Sequence, residues 1–402
     1  MTQATVPLKR LATIKARVGW KGLTSDEFEV ASYAYLVTGR DFQSKLINWR
    51  TCYQVSRERF DDDPFIQLAD GDLLVTKDGT IGKVALVAGL DKPACLNSGV
   101  FVVRPHGELS SAYLYWVLQS GVFTDFIREV SRGSTIQHLY QEEFRELRVP
   151  LPKPAEQRAI ADFLDREAAQ IDAFIAKSEE LITLLTERRA AVIARAFGDE
   201  WPTTPLRALS TVPIQNGVDA VGDPANPSDW PRYLRTTDIA SLSDLDPEKR
   251  VTIEPALAAA AVVRPNDLLL TRAGATIGKS YLHVSDEICS YAGYLVRVRP
   301  DRRLVLPWFL AYWTLSRRYL DDIRAGAVVS TIENFSASKY RAMRVPLPPL
   351  ADQAAIVASL NAETGRIDAA LEAARRGIEL AHERRAALIS AAVTGKISVG
   401  VG

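Results

Sequence analysis

Two short stretches hold residue types suited to meeting phosphate. Gly71 to Lys83 reads GDLLVTKDGTIGK, and Asn266 to Lys279 reads NDLLLTRAGATIGK, one residue longer. In each, Val, Leu and Ile flank a Gly-containing turn, which predicts a β-hairpin. A nucleotide-binding P-loop needs four residues between its first Gly and the Gly-Lys pair. Gly274 and Gly278 enclose three, and Lys77 stands where the first stretch would need Gly, so a nucleotide site is excluded. Two readings stay open. Lys77, Lys83, Arg272 and Lys279 meet DNA phosphates with Thr80 and Thr276 as hydroxyl donors, or the turns serve the fold alone.

A second repeated set follows. Arg132, Ser134, Thr135 and Gln137 correspond to a later group of Ser330, Thr331 and Asn334. A Ser/Thr pair on a loop donates to phosphate, and Gln or Asn pairs with adenine edges in the major groove. The same Ser and Thr would equally serve as helix caps. Carboxylate runs such as Asp61-Asp62-Asp63 read as surface turns. The four histidines have no Cys or His neighbour at ligand spacing. No Asn/Asp-Pro-Pro-aromatic methyltransferase motif is present, nor a helicase or nuclease signature.

These stretches are held by a larger repeat. Arg148 opens RVPLPKPAEQRAIADFL and Arg344 opens RVPLPPLADQAAIVASL, 196 positions apart. The same offset relates Gln157 to Gln353, Asp172 to Asp368 and Arg189 to Arg385 without a gap. Two similar halves follow. Past the prolines, each block runs about 40 residues without Pro, rich in Ala, Glu, Arg and Leu, which predicts a helix roughly 60 Å long. Ile160, Leu164, Ile171, Phe174, Leu181, Leu185 and Val192 mark a heptad seam, with misses at Glu167, Ser178 and Arg188. The second seam is leaner, with Ala370 and Ala381, so the bulky helix is expected to pack into the lean one. Gly365 and Gly377 predict a local bend or fraying in the second helix. Polar identities in both blocks point to a partner that meets each copy alike, through Gln157, Arg188, Arg189, Gln353, Arg384 and Arg385. A solvated charged face is the alternative for the arginines.

The whole chain has 402 residues, 49 basic and 49 acidic side chains, and 47% hydrophobic residues. Neutrality does not by itself point to nucleic acid. The longest apolar run, Ala256 to Val263, is too short to span a bilayer. Cys52, Cys95 and Cys289 are scattered without metal or disulfide spacing, so a reducing cytoplasm is expected.

The ordered set of motifs resembles the specificity subunit of type I restriction-modification systems. RVPLPKPAEQRAI and RVPLPPLADQAAI are similar to that family's helix starts. GDLLVTKDGTIGK and RVGWKGLTSDEF are similar to parts of its target recognition domains, and the order is domain, helix, domain, helix. The resemblance implies an α+β fold: two similar mixed α/β target recognition domains, two long antiparallel coiled-coil-like helices, and a pseudo-twofold repeat. The expected boundaries are 1–150 and 201–345 for the domains, 151–200 and 346–402 for the helices. It also implies a non-catalytic chain that reads a bipartite double-stranded DNA target. The implied partners are two methyltransferase subunits and, where one exists, a restriction/translocase subunit. No cofactor is expected in this chain, and S-adenosylmethionine is expected on the methyltransferase subunits. A structural adaptor holding protein partners is the rival reading, supported by the neutral charge.

Overall fold

The computed structural model describes residues 4–17, 23, 25–130, 138–198, 200–326 and 334–400. The chain divides into two compact units, Met1–Ser178 with Arg376–Gly402, and Glu179–Arg375. The division passes through both long helices, so each unit holds one globular domain and a piece of each helix.

In the first unit, strands β1 (Thr5–Pro7) to β9 (Arg148–Pro150) build three sheets. The main one has the order β2 (Ala12–Ala16), β8 (Val100–Pro105), β5 (Leu73–Thr76), β6 (Val84–Leu86), all antiparallel. Its two faces bury different sets of side chains, as the period of two requires. Leu73, Val75, Phe101 and Val103 face one core with helices α2 (Ser111–Leu118) and α3 (Gly121–Val130). Leu74, Val100 and Val102 face a second core. That core is covered by the three-stranded sheet of β4 (Tyr53–Val55), β3 (Ala34–Val37) and β7 (Ala94–Leu96). Helix α1 (Arg57–Asp61) lies in the loop after β4, and α4 (Gln141–Phe144) precedes β9. β9 pairs with β1 and hands the chain to α5 (Pro154–Ala196).

The second unit repeats this plan. β10 (Thr203–Pro205) pairs with β18 (Arg344–Pro346). The main sheet runs β11 (Gln215–Asn216), β17 (Leu295–Val298), β14 (Leu268–Thr271), β15 (Ser280–Leu282). The smaller one runs β12 (Arg232–Leu234), β16 (Cys289–Tyr291), β13 (Val262–Val263). Helices α6 (Pro255–Ala258), α7 (Pro307–Trp313), α8 (Arg317–Gly326) and α9 (Ala337–Ala342) follow the same order, ahead of α10 (Leu350–Val393). These are the expected similar mixed domains and long helices.

The hairpin motifs are built for internal reasons that recur. Gly71 takes φ +91°, and its counterpart Asn266 takes φ 72°; Gly and Asn are the residues that visit the left-handed region readily. Asp72 accepts two hydrogen bonds from Arg104 at 2.8 Å each, and Asp267 accepts two from Arg299 at 2.7 Å each. These clips, buried at the carboxylates and half-buried at the arginines, tie β5 to β8 and β14 to β17, and they hold both arginines above their ordinary pKa. Gly82 takes φ +84°, and a Cβ there would lie 2.6 Å from Ile127 Cδ1. Gly278 takes φ +82° against Ile323 on α8.

The helices differ from the expected seam. One row of buried and half-buried positions on α5 runs through Leu164, Ala168, Ile171, Ile175 and Ser178 in the first unit, then Ile182, Leu185, Arg189 and Ile193 in the second. The matching row on α10 runs through Leu360, Thr364, Ile367, Leu371 and Ala374 in the second unit, then Ile378, Ala381, Arg385 and Ile389 in the first. Both rows alternate steps of four and three, a heptad, up to Arg189 and Arg385, and each closes on a second step of four. Phe174 and Leu181 flank this seam and are 51% and 46% exposed. The seams are comparable in bulk, so the lean second helix was a consequence of misplaced phase. The size difference sits beside the seam, where Phe174 covers Gly377. α10 runs through Gly365 and Gly377 unbroken. In each unit the two helix pieces run antiparallel. Ile160 and Leu164 share a core with Ile389 and Val393 in the first unit, and Ile193 and Phe197 share one with Leu360 in the second.

Candidate nucleic-acid interface

All strands of the first unit's main sheet reach one edge where several loops meet. β2 ends at Ala16 opposite Phe101, and β5 ends at Thr76 opposite Val100. The turn 77–83 leaves this edge, and the turn 97–99 lies next to it, with Lys77 N donating to Gly99 O at 2.9 Å. The segment after residue 137 docks on the same turn through an Asp78–His138 bridge and a Leu139 N to Lys77 O bond of 2.9 Å. His138 also meets the Asp78 carboxylate through its ring Nδ1, and its ring lies 4.5 Å from that of Tyr140, edge to face.

The second unit assembles the same edge with other residues. Arg272 N donates to Tyr294 O at 2.9 Å, Ala273 bridges to Asn334, and Phe335 N donates to Arg272 O at 2.7 Å. Asn334 thus occupies the place of His138, Ala273 that of Asp78, and Tyr294 that of Gly99.

Both turns are closed from within. Thr76 Oγ1 donates to Thr80 O at 2.6 Å and accepts from Lys83 N at 2.9 Å. The Tyr340 hydroxyl donates to Thr271 O at 2.7 Å. The backbone thereby keeps its polar groups satisfied and leaves the turn's outer side chains to solvent. Thr80, Lys83 and Thr276 are exposed. Lys77 is not: its side chain is 15% exposed, lies over the Phe101 ring and sits 3.9 Å from Asp78. Arg272 is half-buried, and Lys279 Nζ donates to Ile239 O. Asn334 is half-buried at the bridge. Arg132, Ser134, Thr135, Gln137, Ser330 and Thr331 lie outside the described residues.

The expected partner-binding residues separate into three groups. Gln157 and Gln353 have 0% exposure, which corrects their placement on a partner surface. Gln157 accepts from Ser110 N at 3.0 Å and donates to Glu108 O and Pro152 O at 2.9 Å each. Gln353 does the same with Leu306 N, Leu304 O and Pro348 O. Each amide ties the start of a long helix to its own domain. Arg189 and Arg385 form internal ion pairs. Arg385 Nε lies 3.1 Å from Asp172 in the first unit, and Arg189 Nε lies 2.8 Å from Asp368 in the second. The matched polar positions therefore pair with one another within each unit. Arg188 and Arg384 are exposed.

Sequence reasoning missed several residues at these edges. Tyr140 is 60% exposed and Tyr294 63%. The signal for Tyr140 was its counterpart at the same offset, Ser336, a helix cap. Also missed was a polar junction below the first edge. Trp116 Nε1 donates to Asp165 at 2.9 Å, and Lys45 pairs with the same carboxylate. In the second unit Tyr312 donates to Asn361 at 2.7 Å in the same role. Burial pushes the thiols of Cys52 and Cys289 up to about 12 and Cys95 up to about 11, which leaves them unreactive. Among the described residues no helix is long and apolar enough to cross a membrane.

Comparisons with known proteins agree with this architecture. The sequence profile of the type I restriction modification DNA specificity domain matches residues 8–183. The EcoBI specificity subunit of Escherichia coli is 25% identical over 315 residues, covering 71% of this chain and 65% of that one. The StySPI specificity subunit of Salmonella potsdam is 23% identical over 378 residues, covering 88% and 80%. The aligned region thus spans just under two thirds of the EcoBI subunit, and 63% of the related EcoDI subunit. A chain from a structure of type I R-M complex assembly and conformational transition superposes with TM-score 0.76 at 16% identity, covering 98% of both chains. The HsdS subunit from Thermoanaerobacter tengcongensis superposes with TM-score 0.58 at 16% identity, covering 98% of this chain and 97% of that one. Two copies of one domain plan, each closed by a long helix, thus resemble type I restriction-modification specificity subunits in sequence and in fold, and residues 8–183 match that family's DNA specificity domain.

Proposed function

We propose that this chain is the sequence-reading subunit of a type I restriction-modification complex. Each unit reads one half of a bipartite duplex target through its strand-edge loops. The observation that carries this reading is the edge built twice on one backbone plan with different outward residues. Equivalent scaffolds with unequal side chains suit two unequal half-sites. In this reading Thr80, Lys83 and Thr276 meet phosphates, which their exposure supports. Lys77 and Lys279 are placed to hold the turns.

The chain itself does no chemistry on DNA in this proposal. Two methyltransferase subunits join it, one beside each helix block, and carry S-adenosylmethionine. A restriction/translocase subunit joins where the system has one, and the assembly works in the cytoplasm. Arg188 and Arg384 are the arginines left outward for docking. Much of the DNA affinity then comes from the partners, which accounts for a chain with zero net charge.

Mapping methylated bases in DNA from cells carrying the chain and its methyltransferase tests this reading. The expected result is one bipartite motif whose two halves differ. Exchanging residues 201–345 for a related domain should change one half alone. A complex that methylates without sequence preference, or an exchange that alters both halves, would overturn it. A gel shift with the complete complex separates it from the adaptor reading, which expects no retained duplex.

A further inference from the structure

Among the described residues, each unit exposes one tyrosine at this edge; the Tyr140 ring packs edge to face on His138, and neither tyrosine is buried in a core. Tyr140 is the N-cap of α4 and makes no side-chain capping bond. Its counterpart 196 positions on is Ser336, whose hydroxyl accepts from Lys339 N and caps α9. Ser is among the best N-cap residues, and large side chains are not. Unit one has therefore given up a cap to place a ring that is 60% exposed. Tyr294 reverses the arrangement. It stands on the turn into β17, where the first unit has Gly99, and is 63% exposed. A small residue satisfies this turn in one unit and an aromatic replaces it in the other.

Both rings adjoin the hairpin turn of their unit. Leu139, the neighbour of Tyr140, donates to Lys77 O, and Tyr294 O accepts from Arg272 N. The rings are thus carried from different loops to the same edge. Tyrosine loses little conformational freedom on binding, and offers an apolar ring with one polar tip.

We propose that Tyr140 and Tyr294 are specificity-determining contacts, one per half-site, each ring packing on base edges and its hydroxyl donating to a neighbouring phosphate. The inference rests on the DNA-reading function proposed above. Because the two rings leave from different loops, they touch different positions within their half-sites. This gives two similar domains unlike sequences to read.

The test uses the complete complex of this chain with its methyltransferase subunits. The probe is a duplex carrying the mapped methylation site, titrated at fixed salt together with single base-pair substitutions in each half. Tyr140→Ser installs the cap that the second unit has, and Tyr294→Gly installs the turn residue of the first. Tyr140→Ser should melt no lower than wild type yet bind about fivefold or more weakly. The penalty for substitutions at one or two base pairs should vanish in one half only. Tyr294→Gly should do the same in the other half. Phe at either position should keep the base-pair penalties, because the ring remains. Unchanged affinity and penalties in both small-residue variants would overturn the inference, as would losses spread evenly over both halves. A wild-type complex with no preference for its mapped site would instead overturn the DNA-reading proposal itself.

Discussion

Replacing Gln157 with Leu tests whether the matched polar residues of the repeat serve partners or the fold. The Gln157 amide is fully buried and makes three hydrogen bonds, to Ser110 N, Glu108 O and Pro152 O. Leu fills a similar volume and excludes water, so three backbone groups lose their partner at once. Each orphaned group costs about 1 kcal/mol or more, giving a loss of roughly 3 kcal/mol for the first unit. For a unit of this size, about 2–4 °C per kcal/mol converts this to a melting shift of roughly 6–12 °C. Differential scanning calorimetry of the chain reads the shift. Hydrogen exchange locates it, with protection lost over residues 108–118 and 150–160 and kept over 304–313. Gln353→Leu should move the loss to the second unit. If Gln157→Leu melts within about 1 °C of wild type while the complex loses a methyltransferase subunit, the glutamine faces a partner and the burial argument fails.

Reversing Asp172 to Arg should weaken the first unit slightly, and adding Arg385→Asp should restore it. The pair is partly exposed, so the coupling in a double-mutant cycle should stay below about 1 kcal/mol. Gly82→Ala should cost about 1–2 kcal/mol from the left-handed φ alone, visible as a lower urea midpoint with unchanged slope. His283 is buried, and burial depresses its pKa below the ordinary 6.5. The unfolded chain therefore binds a proton that the folded one refuses, and stability falls as pH drops through about 6.5; protection factors over 280–291, corrected for the intrinsic pH dependence of exchange, should be lower at pH 5.5 than at pH 7.5, and His283→Gln should flatten the dependence. Inserting four residues after Thr183, about one helical turn or ~6 Å, should lengthen the unread spacer of the methylated motif and leave both half-site sequences unchanged.

The repeat was legible because an ungapped offset survives in residues that the fold needs. Gln157 and Gln353 are such residues, 196 apart and fully buried, while the clips of Asp72 with Arg104 and of Asp267 with Arg299 recur at an offset of 195, buried at the carboxylates. The hairpins were legible from Gly71, Gly82 and Gly278, which mark left-handed backbone. The helix phase was not. Phe174 and Leu181 are large apolar residues at near-heptad spacing and drew the seam onto themselves, while Ser178 and Arg189 hold true seam positions. Ser178 fits because its hydroxyl returns to Phe174 O, and Arg189 because Asp368 faces it. Neither compensation is visible one residue at a time. The placement of Gln157 failed for the same reason, since its three partners are backbone groups on loops that sequence does not bring together.

A duplicated fold sorts its own residues by what the two copies share. Shared polar residues such as Gln157 and Gln353, or Asp172 and Asp368, keep their partners within each unit. Their identity needs no common external surface. What remains for recognition is the set of positions where the backbone agrees and the side chains do not: His138 against Asn334, Asp78 against Ala273, Gly99 against Tyr294, Tyr140 against Ser336. All four pairs fall at the same sheet edge in both units. The scaffold beneath them is held by equal clips and equal turns, so exchanging these edge residues, exposed or half-buried, costs the core little. If the chain reads two unlike half-sites as proposed, its specificity lies at such positions, and Tyr140 and Tyr294, 60% and 63% exposed, are the largest side chains among them.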